Sequence, residues 1–330
     1  MTPYDILPNE MKAGKMDAET GFSTRKFHGA LLIAAICVLI IAPTFIYPVF
    51  LMKVLCFALF ACAFNLLLGY GGMLSFGHAA YFGSASYVTG YAAKAMALPP
   101  ELAIVTGTSA AALLGLIFGL ISISRRGIYF SMITLALAQM IFFFCLQAEF
   151  TGGEDGLQNI PRGYLFGFID LGSDTAMYAT VSTAFIVALV LIYRIIHSPF
   201  GQTLKAIRDN EARAISLGYQ TNKYKLLVFV LSASLAGLAG SMKAIVFQLA
   251  SLTDVHWSMS GEVILMSLIG GMGTIFGPFL GAIAIVSMQN YLASLGAWVT
   301  IVQGAVFIIC VMLFREGIVG LISRKIRKPL

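Results

Sequence analysis

The chain has 330 residues, of which 59% are hydrophobic and only 11% charged, and its mean hydropathy is +0.88. A soluble domain carries about 25% charged residues, and no water-soluble fold of this size has the interior to hide so much apolar surface. A bilayer does, at roughly 20 apolar residues per helical crossing. The formal charge of +6 does not form a basic stripe interleaved with aromatics, which sets nucleic acid aside. The positive-inside rule explains it instead.

In chain order, residues 1–28 are polar and too long for the n-region of an ordinary signal peptide. The apolar run from Gly29 to Tyr47 lacks a small-residue cleavage site, so it reads as a first transmembrane helix. Apolar runs then predict crossings at 29–47, 50–69, 73–93, 102–122, 128–148, 175–195, 226–249, 259–272, 276–294 and 298–314. The eighth is short and interrupted by glycine, so eight or nine crossings are the alternatives. The expected fold is all-α and polytopic, with about ten transmembrane helices. An N-terminal segment (1–28), a transmembrane domain (29–314) and a basic tail (315–330) make up the expected domains.

Charge orders the loops. Arg25 and Lys26, Arg125 and Arg126, the stretch from Arg194 to Lys225, and Arg315 to Lys328 fall on one side when ten crossings are counted. That side is the expected cytoplasm, with both termini in it. The opposite loop, 149–174, holds Glu149, Glu154, Asp155, Asp170 and Asp174 against Arg162 alone. The five cysteines, Cys37, Cys56, Cys62, Cys145 and Cys310, lie in apolar runs without a CxxC spacing. They read as packing residues, and no disulfide or metal is expected.

Gly71-Gly72-Met73, followed by Phe76-Gly77, returns about 200 residues later as Gly270-Gly271-Met272, followed by Phe276-Gly277. This is a faint internal repeat of the kind duplicated transporters carry, with discontinuous helices near the solute. Gly71, Gly72, Gly77 and Gly83 remove side chains where backbones must approach closely. Gly273, Gly277 and Gly281 recur at every fourth position, predicting a bare helical stripe, and Pro278 predicts a broken helix. The alternative for both motifs is packing alone.

Between the sixth and seventh spans lies the basic loop 197–225. Pro199 and Gly201 punctuate its start, Gln202 to Leu217 favour helix, and Gly218 suits a helix stop. Leu204, Ile207, Ala214 and Ile215 fall along one side of that helix, with Arg208, Asp209 and Arg213 mostly off it. An amphipathic helix between two spans needs a partner for its apolar side: the membrane surface, the rest of the chain, or a groove on a second protein.

This loop resembles the coupling loop of ABC-importer permeases, and more narrowly that of the permeases for branched-chain amino acids (LivM-like). The same family pattern lies in Asn65 to Gly83, in Arg126 to Ala136, and in Ile269 to Ala282. The resemblance covers about residues 30–320. It implies a heterodimer with a homologous permease subunit, two ATP-binding subunits and a periplasmic binding protein, in the bacterial inner membrane. ATP and magnesium would be bound by the partner; no cofactor is expected on this chain. It also implies that Gly201, Ala206, Arg208, Asn210, Glu211 and Gly218 couple to the ATPase. Branched-chain or other neutral amino acids are the expected solutes, with urea or short amides the alternative.

Polar residues within the expected spans are Asn65, His78, Gln139, Gln248, Glu262, Gln289, Asn290 and Gln303, each either functional or a bridge between helices. Asn65, Ser75, His78 and Gln139 are the candidates for a translocation path. Lys53 and Lys94 read as snorkelling residues near span ends, and Glu262 as an outer residue facing water. Phosphate-loop, metalloprotease and serine-hydrolase signatures are missing, so catalysis is not expected. A passive channel for a small neutral solute is the further alternative.

Overall fold

The computed structural model describes residues 37–293, 296, 298–313, 317 and 319. Helix α1 (Pro48–Asn65), prolonged by a π-helical turn over Leu66–Tyr70, leads into α2 (His78–Lys94), α3 (Pro100–Ser122), α4 (Ile128–Gln147) and α5 (Asp174–His197). The short helices α6 (Pro199–Asp209) and α7 (Glu211–Ser216) precede α8 (Thr221–Phe247). The four-residue α9 (Leu252–Val255), then α10 (Trp257–Gly270), α11 (Gly277–Tyr291) and α12 (Trp298–Leu313) follow. Among the described residues, α1 with its π turn, α3, α4, α5 and α8 are long and apolar enough to cross a membrane. The other expected crossings correspond to shorter helices: α2, α10, α11 and α12 have 17, 14, 15 and 16 residues. The first expected span lies partly outside the described residues, as do both termini. Within it, residues 37–41 are helical and Ala42–Thr44 form a 3₁₀ turn.

A helix that is apolar all round has no face to offer water and belongs in the centre of a bundle. Helix α1 is such a sequence, and every residue from Val54 to Asn65 is buried. Helices α5, α8, α10 and α11 pack around it, and Phe60 meets Phe82 of α2 with ring centroids 4.5 Å apart. In α1 the most apolar stretch is 83% buried, against 28% in α3 and 22% in α4, which places α3 and α4 at the periphery. Small residues let α3 and α8 touch: a Cβ on Gly115 would lie 2.4 Å from that of Ala233. This is the close approach that packing between apolar helices requires.

The two ends of the bundle differ. At one end the turns 71–77, 123–127 and 271–276 gather with α6 and α7. At the other, the acidic loop is folded rather than open. Its strand β1 (Leu157–Gln158) pairs antiparallel with β4 (Leu249–Ala250), and β2 (Tyr164–Leu165) with β3 (Ile169–Asp170). Ile160 is fully buried beneath them. Arg162 ties this loop down, donating to the Val246 carbonyl at 2.9 Å and pairing with Asp174 at 2.9 Å.

Five expectations give way to the structure. The third span does not begin at Met73: residues 71–77 are non-helical, and α2 starts at His78. The single helix expected over 202–217 is two, broken where Asn210 adopts extended backbone and caps α7. Of its expected apolar side, Leu204, Ile207 and Ala214 are buried but Ile215 is 49% exposed. Pro278 breaks no helix. It lies in the first turn of α11, where a missing N–H costs nothing. Gly273 lies in the turn before α11, so the four-residue stripe reduces to Gly277 and Gly281, whose Cβ atoms would strike the Gly271 and Met266 carbonyls.

Candidate functional site

After Tyr70 the chain turns back into the bundle as a non-helical stretch, with Gly71, Met73, Ser75 and Gly77 buried. Non-helical backbone inside a membrane protein persists only where its polar groups find partners. Here hydroxyls from other helices supply them. Ser131 donates to the Leu74 carbonyl at 2.6 Å, and the Phe76 N–H donates to Thr134 Oγ1 at 3.2 Å. Ser75 Oγ accepts from the Gly77 N–H at 3.2 Å, and Ser260 Oγ from the Ala79 N–H at 2.9 Å. Gly77 abuts α4: a Cβ there would sit 2.7 Å from the Thr134 carbonyl oxygen.

The two copies of the glycine repeat lie at the same end of the bundle, where Gly72 and Gly273 both border Arg208 of α6. The second glycine of each, Gly72 (φ +68°) and Gly271 (φ +117°), has positive φ, a conformation that side chains other than glycine's resist. Asn65 ties α1 to the second copy: its Nδ2 donates to the Thr274 carbonyl at 2.8 Å and its Oδ1 accepts from the Gly273 N–H at 3.0 Å. A Cβ on Gly69 would lie 2.5 Å from the Gly273 nitrogen. Within the first copy, Gly71 packs on the Leu67 carbonyl.

Helix α6 reaches this junction through one side chain. Arg208 Nη1 donates to the Gly69 carbonyl, its stem lies where a Cβ of Gly72 would be, and Nη1 is 3.8 Å from the position of a Gly273 Cβ. Asp209 holds the outer edge of the guanidinium at 3.0 Å. Lys205, one turn earlier, sits over the Tyr70 ring with Nζ 5.6 Å from its centroid. Burial holds the Lys205 ammonium below its usual pKa, with Arg208 adding to the effect and Asp209 opposing it.

Local sequence explains α6 and α7. Ser198 caps α6, accepting from the Gly201 N–H at 3.3 Å. Gly201 itself lies against the Ile195 and Ile196 carbonyls, so the turn from α5 closes tightly. Asn210 caps α7 through the Arg213 N–H at 3.0 Å. Glu211 then anchors α7 to the bundle, accepting from Lys225 Nζ at 2.6 Å and facing Arg126 Nε at 3.4 Å. Burial pushes its carboxyl up, but the Lys225 hydrogen bond and the charges of Lys225 and Arg126 outweigh it, leaving the pKa below the usual 4.5. At Gly218 the chain leaves α7, with the Gly218 N–H on the Ile215 carbonyl at 2.9 Å and the Tyr219 N–H on that of Ala214 at 3.1 Å. Ala206 is exposed, and so are Ile215, Leu217 and Tyr219, an apolar surface that nothing in the described chain covers.

Of the path candidates, His78 is fully buried, with Nε2 2.9 Å from Ser232 Oγ and its ring edge-on to Phe64 and Tyr81. Its Nδ1 has no partner among the described residues. Ser75 is buried in the turn described above, and Gln139 is half-buried on α4. The structure thus places Ser75 in the first glycine turn and Asn65 against the second, and leaves Gln139 apart. Glu262 is held by Gln289 Nε2 at 2.9 Å. Lys243, near the C-terminal end of α8, pairs with Asp254 at 2.6 Å, both side chains at most 10% exposed. Sequence reasoning passed over Ser131, Thr134, Ser232, Ser260 and Asp254. The four hydroxyls depend on partners remote in sequence, and Asp254, in the short α9, pairs with Lys243 eleven residues before it.

Such a bundle, with re-entrant glycine turns and buried polar bridges between apolar helices, defines a polytopic membrane protein. The sequence profile of the permease component of branched-chain amino acid transport systems matches residues 47–311, and the chain belongs to that family. It is similar to LivM, the high-affinity branched-chain amino acid transport system permease protein of Escherichia coli (strain K12). The two are 24% identical over 277 residues, 77% of this chain and 65% of that protein. A probable LivM from Methanocaldococcus jannaschii is 25% identical over 57% of this chain and 54% of its own length. The ribose import permease RbsC of Bacillus subtilis (strain 168) is 29% identical over 54% of this chain and 58% of its own. The chain thus spans about two thirds of the length of the Escherichia coli relative. No solved structure matches it.

Proposed function

We propose that this chain is the transmembrane permease subunit of an ATP-driven importer, translocating branched-chain or other neutral amino acids across the bacterial inner membrane. A homologous permease, two ATP-binding subunits and a periplasmic solute-binding protein complete the assembly, and the basic end of the bundle faces the cytoplasm. The observation that carries the reading is the Arg208 joint. One side chain of α6, Arg208, touches the first glycine turn and reaches the second. A partner that binds α6 and α7 differently in its two nucleotide states would move both turns together, as a shift in equilibrium requires. The uncovered Ile215, Leu217 and Tyr219 offer that partner an apolar contact. The chain performs no covalent chemistry; ATP hydrolysis belongs to the partner.

The test is solute-stimulated ATP hydrolysis by the complete importer in lipid, with leucine, isoleucine, valine, urea and ribose offered in turn. Stimulation by a branched-chain amino acid, abolished by Leu217→Asp, supports the reading. Stimulation by urea or ribose moves the substrate class. Failure of any ATPase to associate, with liposomes of this chain alone leaking a solute down its gradient, replaces the importer with a channel.

A further inference from the structure

At the basic end a cleft of about 400 Å³ opens between the turn 71–74, the start of α4 and the α6–α7 pair. Its charges are unbalanced: Arg125, Arg126, Arg208 and Lys225 line it against the single carboxylate of Glu211. Glu211 is already engaged by Lys225 and Arg126, and Arg208 by Asp209. Arg125 has no ion pair among the described residues. One wall is the first turn of α4, entered through Gly127, which offers no capping side chain. The first N–H groups of a helix lack internal acceptors, and together with the helix dipole they favour an anion.

The cleft also borders exposed apolar surface. Helix α4 is the least buried of the long helices, and Ile128, Tyr129 and Met132 are 77%, 73% and 62% exposed. Ile128 and Met132 are one turn apart on α4, so an acyl chain lying along them ends beside Arg125. Basic clefts between spans at a cytoplasmic surface suit anionic headgroups, and polybasic segments near a membrane gain affinity with each cation.

We propose that this cleft binds the phosphate of an anionic phospholipid, held by Arg125 and the open first turn of α4, with an acyl chain along Ile128 and Met132. The bound headgroup lies beside Arg208 and Gly72, so the anionic content of the bilayer tunes the joint between α6 and the glycine turns. The site goes beyond the transport reading and does not depend on it.

The experiment is native mass spectrometry of the purified full chain from nanodiscs of phosphatidylcholine with a graded fraction of phosphatidylglycerol. Retained phosphatidylglycerol is compared among wild type, Arg125→Gln, Arg125→Lys and, at the opposite end, Lys94→Gln. Loss of one juxtamembrane cation lowers affinity about fivefold. The expected result is that loss for Arg125→Gln, with near wild-type retention in Arg125→Lys and Lys94→Gln. Equal retention in Arg125→Gln and wild type overturns the proposal, and so does equal loss in Lys94→Gln. A thermal shift of the lipid-free chain in detergent by inorganic phosphate, beyond chloride at matched ionic strength and absent in Arg125→Gln, assigns the cleft to a soluble phosphate instead and overturns the lipid source.

Discussion

The guanidinium of Arg208 donates to the carbonyl oxygen of Gly69, 139 positions earlier in the chain, and so fastens an extramembrane helix to the π turn that ends the central span. Gly69 in turn presses on Gly273, and movement of α6 therefore reaches both copies of the repeat. Arg208→Gln removes the contact while leaving the buried core of α6, Leu204 and Ile207, in place. Residues that link two sites modulate coupling by about 1 kcal/mol. Solute-stimulated ATP hydrolysis of the complete importer is expected to fall about fivefold, with the unfolding temperature nearly unchanged.

Gly72→Ala separates conformation from crowding when set beside Gly127→Ala. Both glycines have positive φ, but a Cβ at Gly72 would sit 2.7 Å from Arg208 Cγ, whereas at Gly127 it meets nothing within 4 Å. An alanine held in such a sparsely populated backbone conformation costs about 1–3 kcal/mol. Thermal unfolding in nanodiscs should show that cost in both variants, and the loss of stimulated ATP hydrolysis in Gly72→Ala alone.

Asn65 supplies a donor and an acceptor to backbone that has no helical partner. Asn65→Ala leaves the Gly273 N–H and the Thr274 carbonyl unpaired, at about 1–3 kcal/mol each. Asn65→Asp keeps the acceptor for Gly273 but sets an oxygen against the Thr274 carbonyl. Both variants should unfold earlier than wild type in a thermal melt, and Asn65→Gln should not rescue them, because its longer side chain misplaces the amide.

Glu211 predicts a pH dependence of α7. Its carboxyl is held below the usual 4.5 in the folded chain, so its stabilising contribution is fully present above that value and is lost as the pH falls through the lower folded pKa. Amide exchange over residues 211–217, corrected for intrinsic rates, should stay slow from pH 7 to 5 and quicken only in stronger acid. Glu211→Gln should show the fast pattern already at pH 7, and Glu211→Lys, facing Arg126 and Lys225, faster exchange still.

Lys243 and Asp254 form a buried pair whose carboxylate also accepts from the Ser251 N–H at 3.2 Å, fixing the short α9 to the end of α8. Removing one partner of a buried pair costs about 3–5 kcal/mol, because the other charge is stranded. Lys243→Met alone should lower stability by that amount. The double variant Lys243→Met/Asp254→Leu should recover much of it, which a double-mutant cycle on unfolding free energies would read.

Composition and local pattern determined the class. Apolar runs long enough to cross a bilayer predicted α3, α4, α5 and α8 to within a few residues, because span length is a property of one segment and the bilayer thickness alone. Pro199, Gly201 and Gly218 marked a helical segment in the basic loop for equally local reasons, and the positions of the glycine repeat were visible as letters. Tertiary structure decided what those letters do. That Asn65 of α1 pairs with the second glycine turn, that Arg208 reaches Gly69, and that Ser131, Thr134 and Ser260 satisfy a re-entrant backbone all depend on partners tens to hundreds of residues away. A bilayer-spanning helix is apolar whichever neighbour it meets, so hydropathy says that it spans without saying what it touches. Only packing brings a hydroxyl on one helix to an unpaired carbonyl on another, and burial then makes that one contact decisive.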